Sequence, residues 1–208
     1  MYLYIFGSAC RGELDKNSDI DMLAIHTFDE NIDHLDGNKL SIYSEKKIKK
    51  IWSEGNPFAW HLYFESKLVH SSDETDYIKS LNTPSLYTNG LSDCKKFFKI
   101  LNESIHSFQE DKFSLIFDLS TIFLCIRNIA TCYSLYLKQP NFSRNSALKL
   151  GSKSLNIKEE AYQILENCRL ANTRGKTIIL SDKEIKIIMN ELECIKSWAE
   201  HLIEHIEI

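Results

Sequence analysis

Two aspartates two positions apart, Asp19 and Asp21, stand at the entry to an apolar run at 20–25, and a Gly7-Ser8 pair stands at the exit of another at 2–6. Side chains alternate faces along a strand, so Asp19 and Asp21 share one face, about 7 Å apart. Two carboxylates that close repel, and either a divalent cation or a buried proton relieves the repulsion. A donor set of oxygens without His or Cys suits Mg2+ or Mn2+. Gly7 lets the backbone come near a ligand, and the amides of Ser8, Ala9 and Cys10 then open a short helix. Free N–H groups there suit an anion such as a phosphate, with the Ser8 hydroxyl as one more donor. A metal seat and an anion cradle thus lie at adjacent strand ends.

The elements that must position them are short and legible. Residues 2–6, Y-L-Y-I-F, read as a buried strand feeding a tight turn at Gly7-Ser8. Residues 20–25, 39–43 and 67–70 supply three more strands. Between them, Ser44 caps a helix over 45–54 and Asn56-Pro57 opens one over 58–65. The polar stretch 71–89, broken at Thr83-Pro84, divides a first domain, 1–88, from a second, 89–208. Beyond it the pattern is helical: 92–108 with Phe97, Ile100, Leu101 and Ile105 as its stripe, then 111–137, 143–150, 158–171 and 181–206. The last starts at a capping box, Ser181 with Glu184. Asp118, Arg127 and Asn128 interrupt the apolar helix 111–137, which makes it the centre of a bundle rather than a membrane span. Those polar groups either pair internally or face a cleft, where Arg127 meets a phosphate or an acidic acceptor. The fold class expected is α+β, a small mixed sheet followed by an all-α bundle.

Gly7-Ser8-Ala9-Cys10-Arg11-Gly12 followed by Ser18-Asp19-Ile20-Asp21 resembles the signature of the minimal nucleotidyltransferases of the DNA polymerase β superfamily. The resemblance implies that Gly7 and Ser8, helped by Arg11, hold a nucleoside triphosphate, with ATP the expected one. It implies that Asp19 and Asp21 are the catalytic, metal-holding pair for Mg2+ or Mn2+. It further implies transfer of an NMP to a hydroxyl of a small-molecule or protein acceptor. The family often carries a third carboxylate on the next strand, and Ser41 stands there instead. Either Glu45, Glu65 or Asp118 supplies that acid, or the chain is a catalytically weak, nucleotide-binding regulatory module. Residues 89–208 resemble, by pattern, the helical domain of the kanamycin nucleotidyltransferase type and more loosely the HEPN fold. No His follows Arg127 within reach, so HEPN ribonuclease activity is not implied. A homodimer is compatible with the resemblance.

The 208 residues carry 25 Lys and Arg against 29 Asp and Glu, a net charge of −4, which argues against an extended nucleic-acid surface. Arg169, Arg174 and Lys176 form one local basic cluster. The six cysteines show no C-x-x-C spacing, so free thiols are expected rather than zinc or disulfides. With no leader pattern before residue 2, the cytoplasm is the expected compartment, without a membrane partner. His201 to His205 spells H-x-x-E-H, but the few residues after it favour an exposed helix face over a metal site.

Overall fold

Tyr2, Tyr4 and Phe6 alternate with Leu3 and Ile5 along β1 (Tyr2–Phe6), and the three aromatics are buried. The computed structural model describes residues 1–13, 20–27, 35–37, 40–110 and 113–207, so Asp19 lies outside the described residues. β1 pairs antiparallel with β2 (Asp21–His26) on one side and with β4 (Ser66–Ser71) on the other. β3 (Ser41–Ser44) runs parallel to β2, giving a mixed sheet of order β3-β2-β1-β4. The register sets Phe6 opposite Asp21. The exit of β1, continued through Gly7 into α1 (Ser8–Arg11), therefore meets the entry of β2 at one end of the sheet.

Helices α2 (Glu45–Ser53) and α3 (Pro57–Glu65) pack against this sheet. Ile48, Ile51, Trp52, Ala59 and Leu62 join Tyr2, Tyr4, Phe6, Leu23 and Ile25 in one core. Both caps form: Ser44 Oγ accepts the Lys47 N–H at 3.2 Å, and Asn56 Oδ1 accepts the Phe58 N–H at 2.9 Å. The Tyr4 hydroxyl donates to Asp76 and accepts the N–H of Ile78, tying α4 (Tyr77–Ser80) to the sheet; burial pushes its pKa up. A strap over 82–86 lies along α2 and α3, held by bonds from the Trp52 indole to the Asn82 carbonyl and from the Trp60 indole to the Ser85 carbonyl.

The chain divides into two compact units, Met1–Thr88 and Asn89–Ile208. In the second, α6 (Leu115–Tyr136) packs against α5 (Gly90–Glu110), α7 (Glu159–Thr173) and α9 (Leu192–Glu207). By length and composition α6 is apolar enough to cross a bilayer, yet 56% of its most apolar window is buried inside the protein. The expected helix over 143–150 is instead a pair of 3-10 turns, Ser146–Leu148 and Gly151–Lys153. Asn141 Oδ1 takes the N–H and hydroxyl of Ser143, and such local bonds compete with helix formation. The expected single helix 181–206 is two, α8 (Asp182–Met189) and α9. The chain turns at Asn190-Glu191 because α8 packs on α7 while α9 packs on α5 and α6. The capping box at Ser181 and Glu184 forms.

Candidate active site

Gly7 sits at φ 71°, ψ −137°, a backbone conformation that side chains with a Cβ rarely adopt. Its N–H donates to the Glu65 carbonyl at 3.1 Å, and its own carbonyl accepts the N–H groups of Cys10 and Arg11. The Cys10 amide is thus spent inside the turn, which corrects the expected three-amide cradle. Ser8 and Ala9 supply the first-turn amides, which have no intrahelical partner. A Cβ on Gly7 would lie 2.9 Å from Asp21 Oδ2 and 3.8 Å from His61 Cε1. The bare glycine is therefore flanked by a carboxylate and an imidazole.

Glu65, the last residue of α3, faces the same turn. Its Oε2 accepts from the Arg11 guanidinium and lies 3.0 Å from His61 Nε2, while Arg11 Nε also donates to Glu13 at 2.7 Å. The His61 ring stands edge-on to Phe6 at 5.6 Å between centroids, which fixes its plane. Burial pushes the Glu65 carboxyl up, but the bonds and charges of His61 and Arg11 outweigh it and hold the group below the ordinary carboxylate value. Arg11 is pushed down by burial and up, by more, through Glu13 and Glu65. At Asp76, burial is likewise outweighed by the Lys79 backbone N–H and the Tyr4 hydroxyl.

A depressed carboxylate pKa contributes stability that is complete above the unfolded value and is lost as pH falls through the folded one. The first unit is therefore expected to lose melting temperature progressively below about pH 4.3. Melting followed through Trp52 and Trp60 in a Trp198→Phe background checks this, and a pH-independent midpoint between pH 5 and 2.5 contradicts it.

The structure brings Gly7, Ser8, Arg11 and Asp21 to one end of the sheet; Asp19 lies outside the described residues. Glu45 is not brought there. It follows Ser44, which pairs with His26 at the far end of β2, about 17 Å along the strand from Asp21. Its carboxylate lies 3.7 Å from Lys49. Ser41 pairs with Leu23 on the neighbouring strand, so a hydroxyl occupies that position. Asp118 is 4% exposed and accepts from Ser107 at 3.0 Å and Ser114 at 2.6 Å, an internal network of the second unit. Arg127 donates to the Phe142 carbonyl at 3.2 Å, anchoring the loop after α6. Of the basic cluster, Arg169 turns inward to Ser120. His201 contacts Lys153 and His205 contacts Tyr133, so the two do not converge.

Of the two candidate acids in the first unit, Glu65 rather than Glu45 stands at the Gly7 turn, and Arg11 and His61 hold it. Among the described residues, no group of three or more His, Cys, Asp or Glu is arranged to take a metal ion. His61 was not foreseen. Its signal was the spacing to Glu65, four residues on along a helix, where side chains meet.

Residues 2–81 match the family model of the nucleotidyltransferase domain. Over 96% of this chain and 91% of the other, the protein is similar to the spectinomycin adenyltransferase AAD(9) of Enterococcus, solved with ATP and spectinomycin. The identity is 12% and the TM-score 0.46. At that score the likeness identifies neither substrate nor acceptor. No curated protein matches the sequence.

Proposed function

We propose that this protein transfers an NMP, AMP being the expected one, from a nucleoside triphosphate to a hydroxyl of a small-molecule or protein acceptor, with release of pyrophosphate. One observation carries the reading: within the residues that match the nucleotidyltransferase model, the Asp21 carboxylate lies over the bare Cα of Gly7, across the paired ends of β1 and β2. A backbone that phosphate can approach thus adjoins a hard oxygen donor. That donor set fits Mg2+, which Asp21 would hold together with Asp19. When bound, the ion neutralises phosphate charge and polarises the phosphoryl oxygens.

The protein's own groups do the rest. The Ser8 and Ala9 amides and the Ser8 hydroxyl bind the triphosphate, and Gly7 admits it at close range. Held there, the α-phosphorus is oriented for in-line attack by the acceptor oxygen; the new P–O bond forms as the bond to pyrophosphate breaks. Arg11, engaged by Glu13 and Glu65, shapes the turn.

A second reading, a nucleotide-binding regulatory module of weak or no turnover, is favoured by Ser41 at the position of a third carboxylate and by the engagement of Glu65 with Arg11. Incubation with each α-labelled NTP, Mg2+ or Mn2+ and a panel of hydroxyl acceptors separates the two. Turnover that falls by about 100-fold or more in Asp21→Asn is the result expected of the enzyme. Metal-dependent binding without turnover across the panel supports the regulatory module, and the absence of both sinks the site.

A further inference from the structure

We propose that Glu65 is a positioning residue that fixes the turn from Gly7 to Arg11 against the Asp21 carboxylate; its role in nucleotide binding rests on the nucleotidyltransferase reading above. Four residues make a helix too short to hold itself, because the first turn is a costly nucleus and no further turns follow to offset it. α1 also buries none of its residues, and its N-cap, Gly7, has no side chain to cap its start. The order of this turn must come from outside it.

Glu65 supplies two of those holds. Its backbone carbonyl accepts the N–H of Gly7, and its carboxylate accepts the guanidinium of Arg11, so one residue of α3 grips both ends of the turn. The pair is mostly enclosed, with side chains 20% and 14% exposed for Arg11 and Glu65. His61, one helical turn before Glu65, braces the same carboxylate at 3.0 Å, and its Cε1 lies 3.8 Å from where a Gly7 Cβ would stand. Asp21 Oδ2 lies against that Cα, so a turn that drifts takes the glycine away from the carboxylate. Because Arg11 is an always-charged planar donor and Glu65 is ionised, this charge-assisted bond is stronger than a neutral one.

The test uses full-length protein as wild type, Glu65→Ala and Glu65→Gln, the last keeping a hydrogen-bond acceptor in place. Amide hydrogen exchange is read at residues 7–11, and MgATP affinity by calorimetry. In Glu65→Ala, exchange at 7–11 is expected to quicken, with β1 and β4 still protected, and MgATP affinity to fall about ten-fold, the scale for residues that orient a binding group. Glu65→Gln recovers part of both. Unchanged exchange at 7–11 in both variants overturns the proposal, as does a uniform loss of protection across the first unit or an affinity equal to wild type. If wild type itself binds no nucleotide, the nucleotidyltransferase reading falls, and local exchange alone still decides whether Glu65 holds the turn.

Discussion

Alanine in place of Gly7 is expected to slow NMP transfer by about 100-fold while leaving the protein folded. The backbone at φ 71°, ψ −137° belongs to a region that is close to glycine-only, and holding another residue there costs about 1–3 kcal/mol. The new methyl would also lie 2.9 Å from Asp21 Oδ2, inside van der Waals contact. The strain is relieved either by moving the carboxylate or by opening the turn. Both separate the groups proposed to hold one phosphate, and a misplacement of about 1 Å costs on the order of 100-fold in rate. Pyrophosphate release measured beside a circular-dichroism melt checks this. A rate within two-fold of wild type would show that Gly7 does not set the site.

Gly55→Ala is expected to do the opposite, lowering stability first and activity only as a result. Gly55 ends α2 in the left-handed conformation, φ 61°, where its N–H bonds the Trp52 carbonyl at 3.1 Å and the Asn56 N–H bonds the Ile51 carbonyl at 3.0 Å. This is the paired closure by which a glycine just past a helix satisfies its last carbonyls. A Cβ there would fall inside 3.0 Å of the backbone carbonyl oxygens of Ser85 and Leu86. Backbone cannot swing aside as a side chain can, so the strap over 82–86 must lift. Lifting it strains the two indole bonds from Trp52 and Trp60 and the bond from the Ser85 N–H to the Trp52 carbonyl. At about 1 kcal/mol for each bond, with about 1–2 kcal/mol for the conformation, the loss is about 4–5 kcal/mol. That is a large share of the 5–15 kcal/mol (roughly) that holds a domain. Melting should fall by about 15 °C or more, and a fall of under about 2 °C would contradict the packing described.

What the sequence disclosed was what is encoded locally. The alternation of Tyr2, Tyr4 and Phe6, the stop at Gly7, the caps at Ser44 and Asn56 and the box at Ser181 each depend on neighbours a few residues away, and each is present. Asp21 was legible as a candidate because its type and spacing are unusual at the start of a strand. The choice among Glu45, Glu65 and Asp118 was not legible. All three are acids on or beside helices, and only the register of β2 with β3 and the return of α3 onto Gly7 separate them. His61 carried a readable spacing, but i, i+4 pairs of His and Glu are ordinary on exposed helices until packing shows which one faces a turn. The break at Asn190 follows from a change of packing partner, which no local pattern records.

The sheet order has a consequence for how the protein folds. β1 lies between β2, the next strand in the chain after α1, and β4, which reaches it only after β3, α2 and α3 have been laid down. The first pairing is a near-neighbour event and the second a long-range closure, which is the slower kind. The bond from Gly7 to the Glu65 carbonyl forms at that closure, since Glu65 is the residue immediately before β4. Assembly of the site and completion of the sheet are thus one step. A chain that has made only its hairpin holds both halves of the motif and none of their geometry, so competence for nucleotide arrives with the native state rather than ahead of it.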